Sequence, residues 1–189
     1  MILIFLGPPG AGKGTQAKKL AQARGYAHIS TGEMLRAAVA ADTELGRQVQ
    51  PILESGLYVS DELMIALIAE RLKQPDCEHG VILDGFPRTI PQAEALEKLL
   101  KERGEKLNRV VYFKVCEQSV LDRLTHRRHD EARADDDPIV QVQRIRIYEG
   151  HTSPLVGYYE NLNMLTNLEA GGSVDEVFQK LLGVVDDAS

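Results

Sequence analysis

Nine residues near the start of the chain, GPPGAGKGT at positions 7–15, have the composition and spacing of a phosphate-binding loop. The backbone N–H groups of such a loop, with the N-terminus of the helix that follows, form a concave anion site. Lys13 adds a point charge suited to β- and γ-phosphates. In the common form of the motif a Ser or Thr after the lysine binds magnesium, but Gly14 occupies that position. The loop therefore predicts a nucleotide site in which a metal ion rests mainly on nucleotide oxygens and water.

Asp84 is a second candidate, because it ends the apolar segment VILD at positions 81–84. An acid at the carboxyl end of a strand beside a phosphate loop is well placed to hold Mg²⁺, directly or through water. A turn residue is the alternative, because Asp-Gly is a common turn pair. We favour magnesium, since the apolar residues before Asp84 place it at the edge of the sheet where ligands bind.

The arginines favour phosphoryl transfer. Thirteen occur in a chain of net charge −6, and several flank turns or loops: Arg36, Arg88, Arg123, Arg127, Arg133 and Arg144. A guanidinium group binds phosphate oxygens in pairs and stays ionised, so it can stabilise the charge on a transferring phosphoryl group. Arg128 and Arg146 are better explained as surface residues.

Some of these residues also have local explanations. The pattern of a helix capping box, Ser or Thr followed three residues later by Glu or Gln, occurs at Ser30, Thr89 and Ser173. Gln92 is therefore also explained as part of a helix cap, and Thr31 as a turn residue. The five histidines have neither metal-ligand nor catalytic-triad spacing.

The overall composition excludes several classes of protein. The chain has 189 residues, of which 43% are hydrophobic and 26% are charged, so it is long and apolar enough to form one globular core. The negative net charge argues against general nucleic-acid binding. Cys77 and Cys116 belong to no CxxC or Cys/His pattern, so reduced thiols are expected. Because neither a signal-peptide pattern nor a run of ~20 apolar residues occurs, we expect a cytoplasmic protein without a membrane partner.

Short apolar segments alternate with segments of helical composition. Strands are predicted at 1–6, 26–29, 81–84, 109–115 and 163–168, and helices at 16–24, 61–74, 92–103, 119–128, 139–148 and 174–185. This alternation predicts an α/β fold in three αβα layers around a five-stranded parallel sheet, with ligands at the carboxyl ends of the strands.

Two segments depart from the alternation. Residues 30–59 are predicted to form a helix-turn-helix insertion between the second and third strands. Residues 126–137, HRRHDEARADDD, are intensely charged, which predicts a solvated loop over the site. The predicted organisation is a core of 1–29, 60–125 and 138–189, with a nucleotide-binding insertion at 30–59 and a short lid at 126–137.

Taken together, these motifs closely resemble those of the adenylate kinases in the nucleoside monophosphate kinase family. They are GPPGAGKGTQA at 7–17, HISTGEMLR at 28–36, LDGFPRTIPQA at 83–93, DRLTHRR at 122–128 and RADD at 133–136, followed by Arg144 ahead of Tyr148. They occur in the family's order and cover nearly the whole chain. Glycine after the lysine is the form that this family carries, GxPGxGKGT.

The resemblance implies reversible transfer of the γ-phosphoryl group of Mg-ATP to AMP, giving two ADP without a covalent intermediate. It places ATP at Gly10, Ala11, Gly12, Lys13, Gly14, Thr15, Arg123, Arg127 and Gly172. It places AMP at Thr31, Gly32, Arg36, Leu57, Tyr58, Val59, Gly85, Phe86, Pro87, Arg88, Gln92, Arg133 and Arg144. Catalytic roles fall to Lys13, Arg88, Arg123, Arg133 and Arg144, and Asp135 and Asp136 complete the lid motif. A monomer is expected.

Two features differ from the family pattern. Long bacterial relatives carry a lid of some tens of residues that often binds zinc through four cysteines, whereas the segment between Arg127 and Arg133 is short and has no cysteine. We therefore expect a short-lid form without structural zinc. The usual D-G-x-x-x-V after the last strand is replaced by EAGGSV after Leu168, so the resemblance does not extend to the residues that select the donor base.

Two alternative functions have distinct signatures. UMP/CMP kinases typically have alanine where this chain has Thr31, and they lack the T-x-x-Q-A that follows Arg88 here. A P-loop module that binds nucleotide without transferring phosphate explains the loop and Lys13, but it does not explain the arginine set. We therefore expect AMP as the acceptor.

Overall fold

The computed structural model describes residues 1–116 and 137–188. Five parallel strands form one sheet in the order β2-β3-β1-β4-β5, so the predicted α/β fold with a five-stranded parallel sheet is confirmed. The strands are β1 (Ile2–Leu6), β2 (Ala27–Ser30), β3 (Val81–Asp84), β4 (Arg109–Lys114) and β5 (Leu165–Glu169). Asp84 is in register with Phe5 on one side and with Ser30 on the other. The ends of β1, β2 and β3 therefore meet at one edge.

Helices cover both faces of the sheet. They are α1 (Lys13–Arg24), α2 (Thr31–Ala40), α3 (Glu44–Glu54), α4 (Asp61–Arg71), α5 (Ile90–Glu102), α6 (Pro138–Ile147), α7 (Pro154–Asn161) and α8 (Val174–Asp186). A 3₁₀ turn follows α4 at Pro75–Cys77, and a π-helical segment joins α6 to α7 at Tyr148–Thr152. The predicted helix-turn-helix after the second strand is present as α2 and α3.

Alternate residues of the strands enter two separate cores, as expected for a sheet buried on both faces. Phe5 and Val111 lie in the core that includes Leu20 of α1 and Leu181 of α8. The neighbouring residues Ile4, Leu83 and Val110 lie in the other core, against helices of the α2–α5 region and α7. Burial of each such side chain contributes about 1.5–3 kcal/mol. The three-layer αβα arrangement is confirmed.

Several element boundaries differ from the predicted ones, and two of the differences have clear local reasons. Helix α4 ends at Arg71 rather than residue 74, because Pro75 disfavours helical geometry in Gln74, which is extended at φ −71° and ψ 144°. Strand β5 begins at Leu165 rather than residue 163, because Asn163 has a left-handed φ of 56° and belongs to the preceding turn.

Helix α7 is absent from the predicted elements. Gly150 and Pro154 interrupt the sequence pattern there, although Leu155 and Tyr159 bury one face four residues apart. The helix predicted at 119–128 lies outside the described residues. Within residues 1–116 and 137–188, no helix has both the length and the apolar content needed to cross a membrane.

Candidate active site

The phosphate-binding loop joins the end of β1 to the start of α1. Gly10 and Gly12 have φ values of 81° and 89°, a region that L side chains rarely adopt, so the loop needs glycine there. Helix α1 begins at Lys13, three residues earlier than predicted, because the end of the loop forms its first turn. The Lys13 Nζ atom donates to the carbonyl oxygens of Gly7 at 2.7 Å and Pro8 at 2.8 Å. The loop and the N-terminus of α1 thus form one surface rich in backbone N–H groups.

Gly14 brings this loop close to Asp84. A Cβ atom at Gly14 would lie 3.3 Å from the Asp84 Oδ2 atom, which is tighter than an ordinary side-chain contact. The Asp84 side chain is only 13% exposed, and its Oδ2 atom lies 3.4 Å from the His28 Nε2 atom of β2. A side chain at this position would therefore require the Asp84 carboxylate to move by a few tenths of an ångström.

Asp84 is held in its ionised form. Burial alone would raise the pKa of this carboxyl group, but the hydrogen bond from His28 and the positive charges of Lys13, His28 and Arg88 outweigh it. The pKa of Asp84 is consequently below its usual value. A largely buried carboxylate beside the phosphate loop is compatible with the predicted role in binding magnesium through water.

Arg88 lies at the end of a tight turn after β3. Gly85 has a φ of 80°, the Phe86–Pro87 peptide bond is cis, and the Arg88 Nε atom donates to the Gly85 carbonyl at 2.8 Å. The Thr31 hydroxyl donates to the same carbonyl at 2.9 Å. Phe86 is 1% exposed and packs in the core, so its side chain does not line the cleft and only its backbone could meet a ligand.

Gln92 connects Arg88 to the start of α4. Its Oε1 atom accepts from the Arg88 backbone N–H at 2.7 Å, and its Nε2 atom donates to the Asp61 Oδ1 atom at 2.7 Å. The Thr89 hydroxyl donates to the other oxygen of Asp61 at 2.9 Å. Gln92 is 1% exposed, and these contacts fix the backbone that presents Arg88.

The three predicted capping boxes are formed to different extents. At Ser173 both halves are present, because the Ser173 hydroxyl accepts from the Glu176 N–H and the Glu176 carboxylate accepts from the Ser173 N–H. At Ser30 and Thr89 the hydroxyl caps the helix, but the acidic or amide partner is used elsewhere. Gln92 binds Arg88 and Asp61, so it is more than a helix cap.

Two connected pockets occupy the carboxyl edge of the sheet. The larger, with a volume of about 740 Å³, contains the predicted ATP-site residues of the described part: Gly10, Ala11, Gly12, Lys13, Gly14, Thr15 and Gly172, together with Asp84 and Pro87. The smaller lies under the insertion and contains Thr31, Leu57, Val59 and Gln92. Both are lined by Gly32, Arg36, Tyr58, Gly85, Arg88 and Arg144. The structure thus brings Arg36, Arg88 and Arg144 together at the junction.

The predicted lid residues Arg123, Arg127, Arg133, Asp135 and Asp136 lie outside the described residues. Sequence reasoning missed several residues of the site that the structure places there. These are His28 beside Asp84, Asp61 beneath Gln92, Thr152 beneath Arg88, and the apolar wall of Leu35, Leu53 and Met64. No direct signal for the polar contacts is present in the sequence, because the partners are distant along the chain. The apolar wall was detectable only as helical periodicity.

Gly85→Ala is expected to lower stability and to impair the pocket under the insertion. A Cβ atom there would lie 2.8 Å from the Thr31 hydroxyl oxygen, in addition to the cost of about 1–2 kcal/mol for a left-handed alanine. Gly104→Ala is the matched control, because Gly104 has a φ of 69° and no atom within 4 Å of its Cβ position. Thermal unfolding should show that both variants are less stable than wild type, and that Gly85→Ala is the less stable of the two. Only Gly85→Ala should raise KM for the nucleotide that binds in this pocket, by about tenfold. Equal KM values in the two variants would contradict the contact between residue 85 and Thr31.

Comparison with known proteins agrees with this geometry. The family model described as adenylate kinase matches residues 5–164. A protein from Caulobacter vibrioides (strain NA1000 / CB15N) named adenylate kinase is 48% identical over 177 residues, which cover 94% of this chain and 93% of that protein. An adenylate kinase from Chelativorans sp. (strain BNC1) is 44% identical over the full length of both chains. One from Fervidobacterium nodosum is 44% identical, covering 98% of this chain and 97% of its own length. With this similarity along nearly all of its length, the chain belongs to the adenylate kinase family.

Proposed function

We propose that the chain transfers the terminal phosphoryl group of Mg-ATP to AMP by direct in-line displacement across the junction of the two pockets. Membership of the adenylate kinase family establishes the reaction, reversible phosphoryl transfer between ATP and AMP; the route and the residue roles are proposals. The observation that carries them is the shared wall of the pockets, where Arg36, Arg88 and Arg144 lie between a phosphate-binding loop and a smaller pocket that has an apolar inner wall.

The polarity of the smaller pocket supports one orientation of the acceptor. Its inner wall is apolar, with Leu35, Leu53, Val59 and Met64, whereas arginines line the side shared with the larger pocket. A nucleoside monophosphate would therefore place its base among the apolar residues and its phosphate at the junction. In this orientation Thr31 and Gln92 would be the polar groups near the base, which favours AMP.

The larger pocket suits the donor. The phosphates of ATP would bind the backbone N–H groups of the loop, and Lys13 would follow the terminal phosphate from its position at the start of α1. The nucleophile is an oxygen of the acceptor phosphate, so no side chain needs to form a covalent bond. Arginines on both sides of the transferring group would stabilise its charge. We propose Arg123, Arg127 and Arg133 for this role, together with the arginines of the shared wall.

Asp84 is proposed to support magnesium through water. Among the described residues no cluster of three or more His, Cys, Asp or Glu side chains is arranged to hold a metal ion, so phosphate oxygens would supply most of the ligands. Magnesium would neutralise charge on the phosphates. Asp84 would orient its water ligands, and His28 and Gly14 would fix the carboxylate beside the loop.

Asp84→Asn is expected to raise the Mg²⁺ concentration for half-maximal activity by about tenfold, since residues that orient metal ligands typically contribute this much. The amide keeps the shape but removes the negative charge. Titration of activity against free Mg²⁺ at saturating ATP measures the effect. Asp187→Asn, at an exposed position after α8, is the control and should leave the titration unchanged. A curve for Asp84→Asn that matches wild type would remove Asp84 from the magnesium site.

We further propose the remaining assignments of the family form. These are a core of 1–29, 60–125 and 138–189, a nucleotide-binding insertion at 30–59, and a short lid at 126–137 without zinc, in a cytoplasmic monomer that binds neither nucleic acid nor membranes. Closure of the insertion and the lid would exclude water, which competes with AMP as an acceptor.

A two-ligand binding experiment tests the paired pockets. AMP and ATP should each raise the melting temperature, and AMP should still do so when ATP is saturating. A nucleotide-binding module with one site would respond to a single nucleotide, or the two nucleotides would compete. Either result would contradict the proposal.

A further inference from the structure

We propose that Tyr58 is a positioning residue for Arg88, whose guanidinium it orients with its ring and whose backbone it fixes through its hydroxyl group. The inference rests on the proposed role of Arg88. Tyr58 is half-buried in the segment between α3 and α4, at the end of the insertion, and lines both pockets. The family resemblance places it only among the expected AMP contacts.

The ring of Tyr58 covers the Arg88 guanidinium. The Arg88 Cζ atom lies 4.7 Å from the ring centroid, well within the range of a cation–π interaction. On the same side chain the Nε atom donates to the Gly85 carbonyl. The side chain of Arg88 is thereby restrained at two points.

The hydroxyl group of Tyr58 reaches the backbone of Arg88 through Thr152. Thr152 is only 6% exposed, and its hydroxyl donates to the Arg88 carbonyl at 2.9 Å. Since a hydroxyl has one hydrogen to donate, the Tyr58 hydroxyl must be the donor in its own 2.9 Å contact with the Thr152 Oγ1 atom. The Arg88 N–H is fixed by Gln92, so both polar backbone groups of Arg88 are held.

Among the described residues, these contacts leave the terminal amino groups of the Arg88 guanidinium without a hydrogen-bond partner. None of them involves the two terminal amino groups, which are the donors that bind phosphate oxygens in pairs. Arg88 lines both pockets, so these groups belong to the wall shared by donor and acceptor. An arginine that is restrained along its length, and whose terminal donors are not bound by any described residue, is preorganised for transition-state binding.

Tyr58 also connects the insertion to the element that carries Arg144. At Gly56, two residues before Tyr58, a Cβ atom would lie 3.1 Å from the Arg144 Cγ atom of α6, so the two segments pack closely. Thr152 belongs to the π-helical segment that continues α6. The ring and hydroxyl contacts of Tyr58 run to Arg88 and Thr152 and not to the phosphate-binding loop. Loss of Tyr58 should therefore affect the acceptor side and leave ATP binding at the loop intact.

The alternative is that Tyr58 acts by touching AMP itself. A double-mutant cycle with Arg88 separates the two roles, because a residue that acts through Arg88 has nothing to position once Arg88 is alanine. Wild type, Tyr58→Leu, Arg88→Ala and the double variant are compared in kcat/KM for AMP, in KM for ATP and in the AMP-induced rise of the melting temperature.

Tyr58→Leu is expected to lower kcat/KM for AMP about tenfold in the wild-type background and by less than about twofold in Arg88→Ala, with KM for ATP unchanged. Tyr58→Phe and Thr152→Val remove only the hydroxyl contacts, and each should lower kcat/KM by roughly two- to threefold. They keep the test usable if Tyr58→Leu does not fold. Tyr158→Leu is the control, because it removes another half-buried tyrosine that lies outside both pockets. It should change the stability of the protein without changing kcat/KM for AMP or KM for ATP.

Three results would overturn the inference. Equal losses from Tyr58→Leu in the two backgrounds would show a direct contact with AMP. A rise in KM for ATP equal to that for AMP would show general damage to the fold. If Arg88→Ala itself left kcat/KM for AMP unchanged, the proposed role of Arg88 would fail first, and the role of Tyr58 with it.

Discussion

Arg88→Ala is expected to lower kcat/KM for AMP by about 10²–10³-fold, with KM for ATP within about twofold of wild type. Arg88 is restrained at three points: its backbone N–H, its backbone carbonyl and its Nε atom all have hydrogen-bond partners. Its terminal donors would bind the phosphate oxygens most strongly as charge develops during transfer. Steady-state kinetics with each substrate varied in turn measures both constants.

Arg146→Ala is the matched control for this variant. Arg146 lies on α6 near Arg144 but is exposed and lines neither pocket. Its replacement should leave both constants unchanged, which excludes a general effect of lost positive charge. Two results would contradict an acceptor site centred on Arg88. One is an equal decrease of kcat/KM for AMP in Arg146→Ala and Arg88→Ala; the other is a decrease of less than tenfold in Arg88→Ala.

Lys13→Met is expected to lower kcat by about 10²–10³-fold while the folded structure is kept. Methionine retains much of the unbranched apolar chain but removes the charge that would follow the terminal phosphate during transfer. Because the loop N–H groups remain, ATP should still bind, although more weakly. Kinetics at saturating AMP, with ATP binding measured by calorimetry, separates the two effects.

Lys98→Met provides the comparison, since Lys98 is an exposed residue of α5 whose side chain is 80% exposed and lies 4.0 Å from Glu102. It should retain full activity. If Lys13→Met kept a wild-type kcat and lost only ATP affinity, Lys13 would be a ground-state binding residue and not a catalytic one.

The parts of the site that lie close together in sequence were predictable. The phosphate-binding loop and the turn around Arg88 are each short enough for glycine, proline and capping patterns to specify them. Asp84 was placed at the correct edge because three apolar residues before it identify a buried strand. The alternation of strands and helices likewise gave the three-layer fold.

Contacts between distant residues were not predictable, because they depend on how the elements pack. His28 and Asp84 are 56 positions apart, and Tyr58 and Thr152 are 94 apart. The first pair follows from the parallel register of β2 and β3, and the second from the π-helical segment between α6 and α7. Neither register nor π-helical geometry has a reliable signature in a single sequence.

ADP formation from Mg-ATP with AMP, UMP or CMP as the acceptor is the most direct test of the central claim, that the pocket under the insertion selects adenylate for transfer across the shared arginine wall. Rapid ADP formation is expected with AMP, and rates at least about 10²-fold lower with UMP and CMP, because the polar groups near the base are expected to suit adenine. Comparable or higher rates with UMP or CMP would contradict the assignment of Thr31 and Gln92 to the adenine. No transfer to any of the three acceptors would contradict the mechanism as a whole.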